Sequence, residues 1–265
     1  KFVVVDDFSK EIPTHLLHVH DVKLIINERT LGHQRSIVKG LNLAIQEQGL
    51  KAIVVMDADG EDRPKDVNEL LEILNLGYSE CVLAIRGKRK SGLLFLALYR
   101  IFQLIFKMLV GRWFEIGNFM VMKPTFAVKL LKRSTTNLSV AATIIKDFEN
   151  IGFLKINRGR RYDGVSKMTI SRLIEHAISI ISVYAEKVSI RLVTISLIST
   201  VFMTLVLSVV LTLRFLGFFA LAPGIATQLT LQVLSGSLVF MGLTLISLIS
   251  MFNFRHLQAK NELNE

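Results

Sequence analysis

The sequence predicts an α/β domain with a mostly parallel sheet, followed by a hairpin of two membrane-spanning helices. Two observations carry this prediction. Short, β-branched apolar runs alternate with helical stretches over roughly the first 160 residues. Between residues 192 and 254 the only charged side chain is that of Arg214, whereas Lys, Arg, Asp and Glu are frequent elsewhere. A change of composition on this scale indicates a change of solvent from water to lipid.

Four apolar runs are typical of buried strands: KFVVV, VKLII, AIVVM and CVLAI. Helical patterns, such as GHQRSIVKGLNLAIQEQ and PKDVNELLEILN, lie between them, and Pro64 suits the first turn of the second. This alternation predicts a mostly parallel sheet with helices on both faces, which binds ligands at the carboxyl ends of its strands. Cys81 is expected to be a small buried residue on a strand rather than a reactive thiol.

Residues 192–213 and 231–254 are each long and apolar enough to cross the hydrocarbon core as a helix, with Pro223 and Gly224 in the turn between them. Cations flank both outer ends of this hairpin: Lys187, Arg191, Arg255, His256 and Lys260. The positive-inside rule then places both ends in the cytoplasm. The alternative is a pair of buried core helices in a soluble fold.

Residues 92–111 predict a helix that lies in the membrane interface. Its polar side chains, Arg100, Gln103 and Lys107, recur at helical spacing and form one narrow stripe. A third membrane span is the alternative, and it would bury two cations in lipid. A second interfacial helix is expected at residues 171–187. The expected organisation is therefore an α/β domain (1–168), a juxtamembrane helix (169–190), a hairpin (191–255) and a cytoplasmic tail (256–265).

The formal net charge of +10 is compatible with nucleic acid, anionic lipid or phosphorylated substrates as partners. Two basic runs, at residues 86–112 and 155–172, lie beside apolar helical segments. This location favours a membrane surface or a lipid phosphate. Because the sequence has no motif that interleaves aromatic and basic residues, a nucleic-acid partner is not expected.

Two acidic clusters follow predicted strands. Asp6 and Asp7 end the first strand, where they could accept hydrogen bonds from a base and a ribose, or serve as a loop or helix cap. Asp57 and Asp59 follow AIVVM in the run DADGED. Carboxylate oxygens are the ligands that Mg²⁺ or Mn²⁺ prefers, so the pair is a candidate metal site. The alternative is a solvated turn with Asp62 near a helix start.

A basic cluster, RGRRYDGVSK at residues 158–167, precedes the hairpin. Guanidinium groups, an ammonium group and glycines that let the backbone approach are well suited to bind phosphate. The candidate phosphate ligands are Arg158, Arg161, Ser166 and Lys167. A diphosphate leaving group or a lipid phosphate could bind there. The alternative is a basic surface that faces anionic lipid.

The segments VVVDDFS, LGHQRSIVKGL, VVMDADGEDRP, GNFMVM and RRYDGVSK, in this order and followed by two spans, resemble the family 2 glycosyltransferases of GT-A fold. Within that family the chain is most similar to the polyprenyl-phosphate glycosyltransferases, which include dolichol-phosphate mannose synthase and bacterial undecaprenyl-phosphate sugar transferases. The resemblance covers almost the whole chain. It implies a homo-oligomeric, inverting enzyme on the cytoplasmic face of the inner membrane. Such an enzyme transfers a sugar from a UDP- or GDP-sugar to undecaprenyl or another polyprenyl phosphate.

The resemblance also implies roles for the candidate residues. Asp6, Asp7 and Asp57 would bind the nucleotide. Asp57 and Asp59 would hold Mg²⁺ or Mn²⁺, with Asp59 as the direct ligand. The basic cluster would bind the phosphates, and the catalytic set would be Asp59, Arg161 and Lys167.

Two departures from the family pattern bear on these expectations. The family leads us to expect a further strand ahead of Lys1, with a Pro and an Asn-Glu motif. Many relatives also have Asp-Phe-Arg where this chain has Asn118-Phe119-Met120. A lipid phosphate is already ionised at neutral pH and needs no base to become a nucleophile, whereas a hydroxyl acceptor does. The alternatives are a transferase that uses a non-phosphate lipid or glycan acceptor, and a non-catalytic membrane scaffold.

Overall fold

The computed structural model describes residues 1–11, 13–86, 93–113, 116–157, 159–162, 170–217 and 224–263. Contacts divide the chain into two compact units. The first comprises Lys1–Phe106 and Arg112–Val183, and the second comprises Lys107–Gly111 and Tyr184–Glu265. The first unit is an α/β structure, and the described residues of the second are mainly α-helical.

All four predicted strands are present in the first unit. They are β1 (Phe2–Asp6), β2 (Val22–Ile26), β3 (Ile53–Val55) and β4 (Cys81–Arg86). Two more strands, β5 (Ile116–Met122) and β6 (Ile151–Ile156), follow them in the described part of the chain. β1 and β2 form a parallel pair, and the other four strands form a sheet in the order β3-β5-β4-β6.

The four-stranded sheet is mixed rather than mostly parallel. β4 and β6 are parallel, but β5 runs antiparallel to both β3 and β4. The GNFMVM segment forms this reversed strand, and its residues 119–122 are fully buried. A strand that is covered on both faces does not alternate apolar and polar residues. A fully buried antiparallel strand therefore has the same continuous apolar pattern as a buried parallel strand, and the sequence does not reveal the direction of β5.

Six α-helices lie among the described residues between positions 33 and 183. They are α1 (His33–Ala44), α2 (Asp66–Asn75), α3 (Leu93–Val110), α4 (Pro124–Leu131), α5 (Val140–Asp147) and α6 (Ile170–Val183). α1, α4 and α5 pack on one face of this sheet, and α2 packs on the other. Cys81 and Leu83 belong to a core formed with α1, α4 and α5, whereas Val82 and Ala84 belong to a core formed with α2. The prediction that Cys81 is buried on a strand is confirmed, and burial raises the pKa of its thiol well above the ordinary range.

The helix predicted at residues 92–111 is confirmed as α3, but its predicted polar stripe is wrong at one position. Gln103 is buried beside Phe106, and its Nε2 donates a hydrogen bond to Tyr99 Oη at 2.6 Å. Arg100 and Lys107 are exposed as expected. The face opposite the buried residues Gln103 and Phe106 exposes three large apolar side chains: Ile101, Leu104 and Met108. The helix therefore has apolar residues on both a buried and an exposed face.

The second predicted interfacial helix is divided in the structure. α6 ends at Val183, and α7 (Ala185–Phe215) begins two residues later. Tyr184 separates them with φ −102° and ψ 21°, outside the helical range. The juxtamembrane segment therefore ends in a break rather than running continuously into the first apolar span.

Two helices of the second unit are long and apolar enough to cross a membrane. The candidate spans are Ala185–Phe215, which is α7, and Gln228–Ser250, which lies within α8 (Ile225–Leu263). The helices pack together, and Thr244 Oγ1 donates a hydrogen bond to Ser196 Oγ at 2.9 Å. Large apolar side chains such as Phe202 and Ile246 are more than 60% exposed. The core helices of a soluble protein bury such residues, so the two helices could form a membrane hairpin.

The carboxyl end of α3 is capped by a side chain from α7. Arg191 Nη1 donates a hydrogen bond to the Met108 carbonyl oxygen at 2.9 Å. Gly111 follows the helix with φ +85°, and a Cβ there would lie 2.5 Å from Arg191 Nη2. A cation bonded to terminal carbonyls stabilises a helix because it satisfies groups that the helix leaves unpaired.

Candidate active site

Asp57, Asp59 and Arg161 meet at one edge of the four-stranded sheet because of the strand directions. Asp57 follows β3, Arg161 follows β6, and both strands end at this edge. β5 runs the other way, so its first residues lie there too. The register pairs Val55 with Met120, and continuing it places Asp57 opposite Asn118. The sheet thus assembles two acids, an amide and a cation from distant parts of the chain.

Asp7 is hydrogen-bonded to the loop ahead of α1, and its predicted nucleotide role stays a prediction. Its Oδ1 accepts hydrogen bonds from Leu31 N and Asn27 Nδ2, and its Oδ2 accepts one from Gly32 N. Burial raises the pKa of the Asp7 carboxyl, but these hydrogen bonds outweigh it and hold the pKa below its ordinary value. Asp7 therefore fixes the turn that leads into α1.

Asn27 is a site residue that the sequence interpretation missed. It is 1% exposed, and its Nδ2 donates to Ser36 Oγ as well as to Asp7. Its Oδ1 accepts a hydrogen bond from Lys39 Nζ at 2.8 Å. Through these hydrogen bonds, the buried Asn27 amide connects the first acidic loop to α1. The Asn-Glu pair directly after β2 was the available signal in the sequence.

We expect the Asp7→Asn variant to be less stable and less sensitive to acid than the wild type. The lowered pKa of Asp7 means that its carboxylate contributes stability that is fully present above its ordinary value of 3.8. This contribution is lost as pH falls through the lower, folded-state pKa. The melting temperature of the wild type should therefore fall more steeply below about pH 4 than that of the variant. Asp21→Asn, at an acid with a 53% exposed side chain, is the control. Equal acid slopes for wild type and Asp7→Asn would contradict the assignment.

Asp6 lies beside this loop at the end of β1. Its carboxylate accepts hydrogen bonds from both the backbone N–H and the hydroxyl of Ser9. This is the local turn that the sequence left open as an alternative. Phe8, between them, adopts φ +65° and is 58% exposed. The nucleoside role of Asp6 stays a prediction.

His33, Asp57 and Asn118 form a connected group. His33 Nε2 lies 2.9 Å from Asn118 Nδ2 and 3.4 Å from Asp57 Oδ1. Asn118 is 9% exposed, whereas the His33 side chain is 54% exposed. The sequence interpretation quoted the GHQ motif but gave His33 no role. The available signal for His33 was its position as the first residue of a helix, directly after a glycine. In the structure this glycine, Gly32, has φ +90°.

The acidic turn after β3 is organised by its own acids. The buried Asp62 accepts a hydrogen bond from the backbone N–H of Asp57, and Asp59 Oδ1 accepts one from Glu61 N. Asp62 is therefore a structural residue, and it leaves Asp57 and Asp59 at the surface of the turn. Their side chains are 24% and 31% exposed, respectively.

Arg161 lies directly against this turn. Its Nη2 is 2.8 Å from Asp59 Oδ2 and 3.4 Å from Glu61 Oε1. Backbone hydrogen bonds fix the loop: Tyr162 N donates to Asp59 O, and Gly159 N donates to Glu61 O. Arg161, a predicted phosphate ligand, is therefore in contact with Asp59, a predicted metal ligand. Arg158, Ser166 and Lys167 lie outside the described residues.

Glycines make this close approach possible. A Cβ at Gly60, which has φ +88°, would lie 2.8 Å from the Tyr162 ring and 2.9 Å from Arg160 O. A Cβ at Gly159 would overlap the carbonyl oxygen of Gly60 and would lie 2.9 Å from Arg63 Cγ. The two segments therefore pack backbone against backbone, with no room for a side chain.

We expect Gly159→Ala to separate the Arg161 loop from the acidic turn. The added methyl group overlaps backbone, which cannot move aside like the end of a flexible side chain. A displacement of about 1 Å can reduce turnover about a hundredfold. Sugar transfer and thermal unfolding should be measured together. Gly236→Ala, where a Cβ meets nothing within 4 Å, is the control. Wild-type turnover in Gly159→Ala would show that the packing of this loop is not needed.

The chain was compared with models of known protein families. The glycosyl transferase family 2 model matches residues 1–134 of the 265-residue chain, which include the acidic turn, His33 and Asn118. This chain belongs to glycosyl transferase family 2. The α/β fold of the first unit agrees with that membership.

Two curated relatives match shorter segments. One is the uncharacterized glycosyltransferase YkcC of Bacillus subtilis (strain 168), 40% identical over 96 residues, which are 34% of this chain and 28% of that protein. The other is the uncharacterized protein MJ0544 of Methanocaldococcus jannaschii, 32% identical over 90 residues, which are 32% of this chain and 39% of that protein. The chain thus spans less than half the length of the curated relatives it matches.

Family 2 enzymes often use divalent metal ions, and the donor set here can be tested for one. Within the described residues no group of three or more His, Cys, Asp or Glu side chains is arranged to hold a metal ion. Asp57 and Asp59 supply accessible carboxylates, and Arg161 places positive charge against the second. One or two carboxylates together with substrate phosphates are the usual ligands of Mg²⁺. The residues therefore fit a cation that binds together with a nucleotide.

Proposed function

We propose that this family 2 protein is an inverting, metal-dependent glycosyltransferase that transfers a sugar from a nucleotide-sugar donor to a polyprenyl phosphate. The reaction would take place on the cytoplasmic face of a membrane. The observation that carries the proposal is the contact of Arg161 with Asp59, at the edge where β3 and β6 end. A nucleoside diphosphate with its metal ion needs carboxylates on one side and cations on the other, and this edge offers both.

The described residues suggest how each part of the reaction is served. A phosphate oxygen of the acceptor attacks the anomeric carbon, the bond to the donor diphosphate breaks, and its electron pair leaves with the nucleoside diphosphate. Mg²⁺ or Mn²⁺ bound to Asp59 and Asp57 would withdraw charge from that leaving group. Arg161 can turn from Asp59 to the diphosphate and stabilise the same charge. Lys167 is proposed to act in the same way.

Asn118 bears on the choice of acceptor. A hydroxyl acceptor must lose a proton in the transition state and needs a general base within reach. At the position where many relatives have an Asp, the carboxamide of Asn118 does not supply that base. The second pKa of a phosphate monoester is near 6, so the lipid phosphate is ionised at neutral pH. A phosphate acceptor therefore suits this site better than a lipid or glycan hydroxyl.

The helices support an acceptor in a membrane. α7 and α8 have the length and composition of membrane spans. The exposed apolar face of α3, with Arg100 and Lys107 beside it, suits a helix in the interface. A site held at this surface meets the head group of a lipid whose chain stays in the bilayer. Most of the acceptor would then need no transfer into water.

The test is a transfer assay with the full chain in detergent or nanodiscs. Labelled UDP- or GDP-sugars, Mg²⁺ or Mn²⁺, and undecaprenyl phosphate should give a lipid-linked sugar. Undecaprenol, which has the same chain and no phosphate, is the matched acceptor control. Transfer to undecaprenol at an equal rate would reject the phosphate acceptor. Absence of metal-dependent binding of UDP and GDP by calorimetry would reject catalysis and favour a membrane scaffold.

A further inference from the structure

We propose that His33 and Asn118 bind the sugar of the nucleotide-sugar donor, with His33 Nδ1 hydrogen-bonded to a sugar hydroxyl. This inference rests on the proposed function. It adds a part of the site to which the sequence interpretation gave no residue. It also fixes which way the donor lies across the sheet edge.

The imidazole of His33 is held from two sides. Its Nε2 is within 2.9 Å of the buried Asn118 amide and 3.4 Å from Asp57. Its backbone is set by Asp7, whose carboxylate accepts the N–H groups of Leu31 and Gly32 immediately before it. A side chain that is half exposed yet fixed at both ends is organised before a ligand arrives, which reduces the entropy lost on binding.

The second ring nitrogen is available to a ligand. Across the parts of the chain that the structure describes, His33 Nδ1 has no hydrogen-bond partner. If the Asn118 amide donates to Nε2, then Nδ1 carries a proton and donates. If the amide is rotated so that its oxygen accepts from Nε2–H, then Nδ1 accepts. A hydroxyl can serve both arrangements because it both donates and accepts. An ionised phosphate can only accept.

The charges along the edge orient the donor. Arg161 lies on one side of the acidic pair, in contact with Asp59. On the other side, His33 contacts Asp57, and Asn118 contacts His33. A diphosphate is attracted to the guanidinium of Arg161. The Asn118 amide carries no charge, and amide and imidazole groups can hydrogen-bond to hydroxyls. The uncharged sugar therefore belongs at His33 and Asn118, and the diphosphate belongs at Arg161.

Calorimetry can separate a sugar contact from a phosphate contact. Full-length protein with Mn²⁺ would be titrated with UDP and UDP-glucose, and with GDP and GDP-mannose. For the pair that the wild type binds, His33→Ala should raise the Kd of the nucleotide sugar about tenfold, the cost of one hydrogen bond. The Kd of the nucleoside diphosphate should not change. His33→Gln should recover part of the loss.

The control and the contrary results are defined by the same titrations. His20→Ala removes a histidine whose side chain is 96% exposed and should change neither Kd. If His33→Ala weakens both ligands equally, or neither, the sugar assignment is overturned while the proposed function stands. If the wild type binds none of the four ligands, the proposed function fails and this inference fails with it.

Discussion

The Asp59→Ala variant is expected to lose sugar transfer almost completely. Asp59 is the carboxylate against which Arg161 lies, and it is the proposed direct ligand of the metal ion. Without it, neither the cation nor the diphosphate has a fixed position. Groups that stabilise charge on a leaving group contribute about a hundredfold to a thousandfold each, so a loss of about a thousandfold is expected. Turnover should be measured at saturating donor and metal concentrations.

A matched control separates this effect from a general change of charge. Glu69→Ala removes an exposed acid on α2 that has no proposed part in binding the metal ion, and it should keep full turnover. Metal-dependent binding of UDP or GDP should persist in Glu69→Ala and disappear in Asp59→Ala. Full turnover in Asp59→Ala would remove the metal assignment.

The Arg161→Ala variant should show two opposite changes. Sugar transfer should fall about a hundredfold because the diphosphate loses a stabilising cation. Binding of Mn²⁺ in the absence of nucleotide should become tighter, since Asp59 no longer has a guanidinium 2.8 Å away. Arg161→Lys should recover part of the turnover, because it keeps the charge but loses the planar guanidinium. Free Mn²⁺ can be followed by electron paramagnetic resonance.

Arg160 provides the comparison for this variant. Its side chain is exposed, and it precedes Arg161 on the same loop. Arg160→Ala removes the same charge from the same segment and should leave both turnover and Mn²⁺ binding close to wild type. Equal losses in the two alanine variants would mean that the loop attracts phosphate only through its total charge.

The strands at which the sequence prediction succeeded are those with the most regular composition. β1, β2, β3 and β4 each coincide with an apolar run, because β-branched residues packed in a sheet leave a local signal. β5 gave no comparable signal of direction. Its place between β3 and β4 depends on how the chain returns after α3, which is a tertiary property. Periodicity in a single sequence does not contain that information.

The predicted metal site at Asp57 and Asp59 rests on local spacing and stays a prediction. The spacing of Asp57 and Asp59 indicated a cation site, and the structure places a cationic side chain against Asp59. The structural role of Asn27 was missed because its partners, Asp7, Ser36 and Lys39, lie 9 to 20 residues away in the sequence. His33 was missed for the same reason, since its contact with Asn118 joins residues 85 positions apart.

The cap that Arg191 forms on α3 bears on which cations orient the proposed hairpin in a membrane. Its guanidinium is bonded to the Met108 carbonyl oxygen, so it does not act simply as an anchor for lipid head groups. Lys187 then carries more of the orienting bias at the amino end of α7. Arg191 thus connects the last turn of α3 to the first turns of α7, a candidate membrane span. In the proposed membrane hairpin, a tilt of α7 in a thicker or thinner bilayer would therefore also displace the last turn of α3.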